Sequence, residues 1–239
     1  MSGALHRYGT HRSQVAELSL PDGPGPHPVV VLIHGGCWRQ RYDRHLMDAL
    51  AADLAGRGWA AWNVEYRRVG AGGGGGWPET GADVAVAIDH LEDLDAPLDL
   101  NRVAGVGHSA GGHLALWAAQ RQGADVLLTA VVGQAAISDL DAAALQGVCG
   151  GMVERLVGGT PRELPDRYGT ASPARRLPLR VPALLVHGDR DDLVPVQMSR
   201  DFAAAAGCDL VVLEADGHSE HLEPGSRAWA TVVEWLERH

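Results

Sequence analysis

Gly107-His108-Ser109-Ala110-Gly111 stands between an apolar run, Arg102 to Gly107, and an Ala-rich run, Ala110 to Gln122. The pentapeptide is a G-x-S-x-G set between a strand and a helix. A chain that passes from strand to helix at one residue must turn sharply. The turn forces Ser109 into a strained backbone conformation, and glycines two before and two after it let the arms pass without side-chain clashes. The hydroxyl is then exposed at the C-terminal edge of the sheet. The same turn places the N–H of Ala110 at a helix N-terminus, where a donor and the helix dipole together stabilise an oxyanion. Gly105-Val106-Gly107-His108-Ser109-Ala110 also fits a G-x-G-x-x-A dinucleotide fingerprint, with Asp125 at the spacing of a ribose-binding acid. That reading explains none of the downstream Asp and His motifs. It also sets the fingerprint well past the first strand, where such folds usually open with it.

Working outward, short β-branched runs alternate with Ala-rich stretches along nearly the whole chain, the pattern of strands joined by crossover helices. Strands are expected at Val15 to Leu20, Val29 to His34, Trp59 to Val64, Arg102 to Gly107, Leu127 to Val132, Ala183 to His187 and Asp209 to Leu213. The middle ones are continuously apolar, as strands covered by helices on both faces must be. Helical spacing marks Asp43 to Arg57, Thr80 to Leu94, Ala110 to Gln122, Val196 to Ala206 and Gly225 to Arg238. The expected fold class is therefore α/β, a mostly parallel sheet of about seven or eight strands with helices on both faces. Two segments break the alternation. Val69 to Trp77 contains five consecutive glycines and reads as a mobile loop. A phosphate-cradling role for it is poor, because no strand leads from it into a helix start bearing Lys or Ser/Thr. Asp141 to Arg180, rich in Gly, Pro and Arg, reads as a small helical, lid-like insertion before the strand that carries the acid.

Three further motifs supply chemistry. His34-Gly35-Gly36-Cys37-Trp38 follows the strand ending at Ile33, and its glycines let backbone N–H groups face a cavity. Gly36 and Cys37 are assigned as oxyanion donors beside Ala110, with Cys37 acting through its backbone and its thiol buried and inert. His34 is expected to hydrogen-bond within the loop. His187-Gly188-Asp189-Arg190-Asp191-Asp192-Leu193-Val194-Pro195 ends a later strand and offers the acid. Asp191 is preferred by its spacing from His187 and Pro195, with Asp192 and Asp189 as fallbacks; one of the three is free to cap the helix near Val196. Asp216-Gly217-His218-Ser219 follows the last strand. His218 is the expected general base, in the chain order nucleophile, acid, histidine, and His221 is its near rival.

With these motifs the chain resembles the α/β-hydrolase superfamily over essentially its full length. His34-Gly35-Gly36-Cys37-Trp38 resembles the H-G-G-x-W motif of the kynurenine formamidase (arylformamidase) and small-esterase group. The resemblance implies an acyl-enzyme on Ser109 with Asp191 and His218 completing a triad, a small-molecule ester or formamide substrate, and no cofactor or metal. Trp38, Tyr66 and Trp77, with His108, are expected to line a substrate pocket beside the nucleophile, the alternative being ordinary core or rim positions. A binder or lyase on the same fold is the rival class, since fold does not fix function.

Composition bounds the rest. The 239 residues are 46% hydrophobic and 21% charged, which suits one domain over 1–239. The net charge of -10, from 30 acidic against 20 basic residues, argues against nucleic-acid or membrane partners and for a monomer or homodimer. Met1 to Gln14 is polar without an apolar run, and Cys37, Cys149 and Cys208 are odd in number without C-x-x-C spacing. They are expected to be reduced, in a cytoplasmic protein.

Overall fold

Apolar residues along the central strands alternate between two layers. In β3 (His27–Ile33) Val29, Val31 and Ile33 enter one core, while Val30 and Leu32 enter the other. Both faces are thus buried, and both must be covered. The computed structural model describes residues 3–239; Met1 and Ser2, at the head of the polar N-terminal segment read above, lie outside them. In chain order the elements are β1 (Ala4–Arg7), β2 (Val15–Ser19), β3, α1 (Asp48–Gly56), β4 (Ala60–Val64), α2 (Glu79–Asp89), β5 (Leu98–His108) and α3 (Ala110–Ala118). There follow β6 (Ala130–Gln134), α4 (Leu140–Leu145), α5 (Met152–Val157), α6 (Pro165–Ala171), β7 (Ala183–Gly188), α7 (Val196–Ala206), β8 (Asp209–Leu213) and α8 (Arg227–Leu236).

One eight-stranded sheet holds them, in the order β1-β2-β4-β3-β5-β6-β7-β8. β1 and β2 pair antiparallel, β2 joins β4 antiparallel, and all other pairs are parallel. Leu50 and Leu54 of α1 and Trp229, Val232 and Leu236 of α8 fill the core on one face. Val84 and Ile88 of α2, Leu114 of α3 and Phe202 of α7 fill the other, joined by the insertion helices α4 to α6. The chain steps from β3 outward to β4, then returns across β3 to β5, so the connections after β3 and β5 leave in opposite directions. A crevice must open above that pair, and ligands of open α/β sheets bind at such a point.

Several expectations are corrected. β1 carries no apolar alternation, being largely exposed, and it owes its existence to pairing with β2. The strand expected at Leu127 to Val132 runs from Ala130 to Gln134, because Val126 and Leu128 pack into the core, Leu128 against Gly105 of β5, before pairing begins. The glycine-rich segment expected to be a mobile loop is instead folded tightly against its own upstream strand end. Gly75 N–H donates to Arg68 O at 3.0 Å, and Cβ atoms at Gly73 and Gly75 would lie 2.0 and 2.3 Å from the Arg68 and Arg67 carbonyls. Gly72 and Gly74, which alternate with them, have φ of 72° and 67°. Glycine is therefore required by space at alternate positions and by conformation at those in between. Asp141 to Arg180 contains α5, α6 and most of α4, as a helical insertion would.

Candidate active site

Ser109 joins β5 to α3 with φ 55° and ψ -117°, a left-handed conformation that a side chain adopts only when its surroundings impose it. Those surroundings are visible. Ser109 N–H donates to Gln134 O at 2.8 Å, and its carbonyl accepts from His113 N–H at 3.1 Å and Ile137 N–H at 3.3 Å. A Cβ at Gly111 would lie 2.0 Å from Ile33 O, so α3 presses directly on the end of β3. The sharp turn read from G-x-S-x-G is present, and the dinucleotide reading lapses, since its strand is the fifth and Asp125 is exposed.

β3 ends beside β5, with Ile33 opposite Gly107, so the His34–Trp38 loop runs along the Ser109 turn. A Cβ at Gly35 would lie 3.1 Å from Ser109 Cβ. Gly36 and Cys37 line the same cavity as Ser109. The N–H groups of Gly36 and Cys37, which line that cavity, and of Ala110, buried next to Ser109, donate to nothing among the described residues. The loop is braced from β4, whose Val64 lies opposite Ile33. Glu65, the next residue, is buried and collects four partners: His34 Nε2 at 3.0 Å, Tyr66 N–H at 2.8 Å, Arg44 N–H at 3.1 Å and the Arg68 guanidinium. Burial opposes its charge, but His34 and Arg68 override that and hold the carboxyl down at about 2. His34 Nδ1 meets Gly35 O at 2.8 Å, the hydrogen bond within the loop expected of it.

β7 and β8 deliver the other two groups. Asp191 follows β7, and its carboxylate is fully buried. Oδ1 accepts from Leu193 and Val194 N–H at 2.9 and 2.8 Å, while Oδ2 accepts from His218 Nδ1 at 2.7 Å and lies 3.1 Å from His187 Nε2. Burial alone would raise its pKa. The donors from His187, His218 and Val194 instead drive it well below the usual aspartate range. Of the three candidate acids, Asp191 is the one that meets His218. Asp189 accepts from Ala215 N–H at 2.7 Å, and Asp192 is an exposed residue on the cavity rim. His221, the rival base, is buried; burial first, then the neighbouring His187 and His218 charges, lowers it to about 4. His108 Nε2–H donates to His218 O at 2.8 Å, holding that loop above the elbow. Burial pushes His108 far below the ordinary histidine range, so it is neutral there.

Ser109 and His218 open onto one cavity of about 600 Å³, large enough for a small organic ligand. Their direct Oγ–Nε2 hydrogen bond is not formed among the described residues; in ligand-free enzymes such bonds often tighten only when substrate binds. Of the expected pocket residues, His108 lines the cavity. Trp38, Tyr66 and Trp77 do not: all three are core residues. Trp38 packs edge-on against His113, Trp77 edge-on against Trp117, and Tyr66 stacks on His34 at 4.3 Å while donating to His34 O at 2.7 Å. An aromatic side chain near a motif is drawn inward by its apolar area unless the fold leaves it a mouth. The cavity is lined instead by Arg39, Arg41, Tyr42, Leu193, Pro195 and Leu222, among others, and by the insertion segment Gln146–Gly150. A second correction concerns the cysteines. Cys37 and Cys149 form a disulfide, with Cα atoms 5.7 Å apart, and only Cys208 is free. A separation of 112 residues hides the pairing from sequence spacing.

The sheet order and the elbow, acid and histidine loops at strand ends define an α/β-hydrolase fold. Within it, residues 17–205 match the BD-FAE family, and the chain belongs to that family. It is similar to Esterase LipC of Mycobacterium tuberculosis, 28% identical over 96% of this chain and 65% of that protein. It is also similar to the same organism's Probable carboxylic ester hydrolase LipM, 30% identical over 76% of this chain and 45% of that one. The chain thus spans 65% or less of the length of these two relatives. Among solved structures it resembles a truncated carbohydrate esterase from gut microbiota, with TM-score 0.85, 19% identity, and coverage of 100% of this chain and 95% of that one. A propionate-bound esterase from Thermogutta terrifontis superposes with TM-score 0.76 and 22% identity, over 99% of this chain and 92% of that one. None of these four is an arylformamidase.

Among the described residues no helix is long and apolar enough to cross a membrane, and no group of His, Cys, Asp and Glu has the arrangement of a metal site.

Proposed function

We propose that the chain hydrolyses small carboxylic esters through an acyl-enzyme on Ser109. The observation that carries this reading is the strained Ser109 elbow facing, across one cavity, a histidine whose Nδ1 is bonded to a fully buried carboxylate. The Asp191 contact fixes His218 with its proton on Nδ1, which leaves the Nε2 lone pair to take the Ser109 proton. Ser109 Oγ then attacks the ester carbonyl, whose oxygen becomes an oxyanion held by the N–H groups of Gly36, Cys37 and Ala110. The imidazolium gives its proton to the departing alkoxide as the tetrahedral intermediate collapses. Water, deprotonated by His218, repeats the addition at the acyl-enzyme and releases the acid. Asp191 remains ionised throughout and stabilises the imidazolium. Membership of the BD-FAE family and the esterase relatives support the same reaction class.

The test is intact-protein mass spectrometry after incubation with a fluorophosphonate, with rates on p-nitrophenyl acetate and N-formylkynurenine. One adduct on the wild type, absent in Ser109→Ala, with kcat reduced at least about 10⁴-fold, is the expected result. Folded wild-type protein that takes no adduct refutes the reading, and comparable kcat/KM on the formamide reassigns the substrate.

A further inference from the structure

The Cys37–Cys149 disulfide joins two walls of the Ser109 cavity. Cys37 is the second residue of the turn Gly36–Arg39, closed by Arg39 N–H donating to Gly36 O at 2.9 Å. Cys37 and Trp38, its two central residues, have φ of 51° and 53°. Turns of this kind favour glycine and asparagine, so a cysteine and a tryptophan remain in one only where their neighbours hold them. Trp38 is held by complete burial and by Val69 N–H donating to its carbonyl at 2.8 Å. Cys37 is held by the bond to Cys149. A second tie runs alongside, from the Arg39 guanidinium to Cys149 O at 2.8 Å.

On the other side, Cys149 has φ 63° in the connection between α4 and α5, with Gly147, Gly150 and Gly151 at 68°, 59° and 74°. Gln146–Gly150 of this connection line the cavity. Its own hydrogen bonds are those of short turns, Val148 N–H to Ala143 O and Gly150 N–H to Gly147 O, each at 2.9 Å, and its glycines give it many alternative conformations once a constraint is removed.

We propose that Cys149 is a positioning residue for acyl transfer, acting through its disulfide to hold the Cys37 backbone and the Gln146–Gly150 wall against Ser109, so that reduction of the bond slows catalysis. The proposal rests on the esterase reading of the site. The reductant is a dithiol. One of its thiolates attacks a bridge sulfur and expels the other cysteine as a thiolate, which takes a proton. Its second thiolate then displaces the remaining cysteine and closes the reductant to a cyclic disulfide, two electrons having passed from dithiol to protein. Both bridge residues line the cavity, so the reductant arrives by the route substrate takes. Cys208 is not among the cavity residues and serves as the control.

The experiment compares oxidised protein, protein reduced with dithiothreitol and reoxidised protein, with free thiols counted by alkylation and mass. Cys149→Ser and Cys208→Ser are assayed beside them, below the melting temperature of each. Reduction is expected to lower kcat on p-nitrophenyl acetate about tenfold, a fraction of the hundredfold or more lost when an oxyanion donor is deleted. KM should move less than about threefold, the fluorophosphonate labelling rate should fall in parallel, and reoxidation should restore both, because the donor acts on the tetrahedral state rather than on substrate binding. Cys149→Ser should match the reduced wild type, and Cys208→Ser the oxidised one. Oxidised protein that labels on Ser109, with reduced protein keeping kcat within about twofold while its bridge thiols are free, overturns the positioning role alone. Oxidised protein that takes no label overturns the esterase reading and this proposal with it.

Discussion

Asp191 carries two imidazoles on one oxygen and two backbone N–H groups on the other. Three hydrogen bonds, with His187 Nε2 close by while it donates to Val194 O at 2.9 Å, are why the charge of that buried carboxylate survives burial. Asp191→Asn would turn an N–H₂ or a single oxygen toward donors that need an anion, and would force His218 into the wrong tautomer. Its kcat is expected to fall about 10⁴-fold, measured on p-nitrophenyl acetate at pH 8. Asp192→Asn, by contrast, removes an exposed rim charge screened by water and should leave kcat within about threefold. The H-G-x-x-D-x-x-V-P spacing singled out Asp191 among three neighbouring acids. It gave no sign of His187 as a second partner, because that contact depends on how the turn after β7 folds back on its own strand.

At the scale of elements, the site is an arrangement of strand ends, and its precision depends on backbone approaching backbone. Gly111→Ala would drive a methyl into Ile33 O, 2.0 Å from the ideal Cβ position. With backbone on both sides nothing gives way, and a loss of about 3 kcal/mol or more is expected in urea denaturation, or failure to fold. One brace of the His34–Trp38 loop is a phenol. Tyr66→Phe keeps the stacking on His34 but leaves His34 O without its 2.7 Å donor, and should cost about 1–2 kcal/mol of stability in the same assay. Tyr66 was expected at the substrate. Tyr66 lies two residues beyond β4, and its direction is set by contacts with His34 in a different loop, which no local pattern records.

For the whole molecule, the brace around Glu65 makes stability depend on pH. Its folded pKa of about 2 lies below the ordinary value of 4.5, so its contribution is fully present above pH 4.5 and is lost as pH falls from there toward 2. The shift corresponds to roughly 3 kcal/mol at neutral pH. Glu65→Gln should therefore show a flatter stability curve across that acid window, measured as urea midpoints against pH, as well as a lower plateau. The crosslink between Cys37 and Cys149 closes a loop of 112 residues. Reduction should lower unfolding stability by about 2–4 kcal/mol through the freed chain entropy, which is why activity must be compared below each form's melting temperature. The bond also removes the cysteine half of the case for a reducing compartment.

The sequence alone determined the layered α/β fold, the sharp turn at Ser109 and the strand-end loops that bear Asp191 and His218, because each is written locally: alternation of apolar runs, small residues around one serine, an ordered series of strand ends. Only the tertiary structure decided which residues the cavity shows and what holds it open. The outward aromatics became core, the free cysteine became half of a bond to a residue 112 positions away, and the glycine run became a close-packed turn. Each of these depends on which surfaces meet when distant segments fold together, and no local pattern records that.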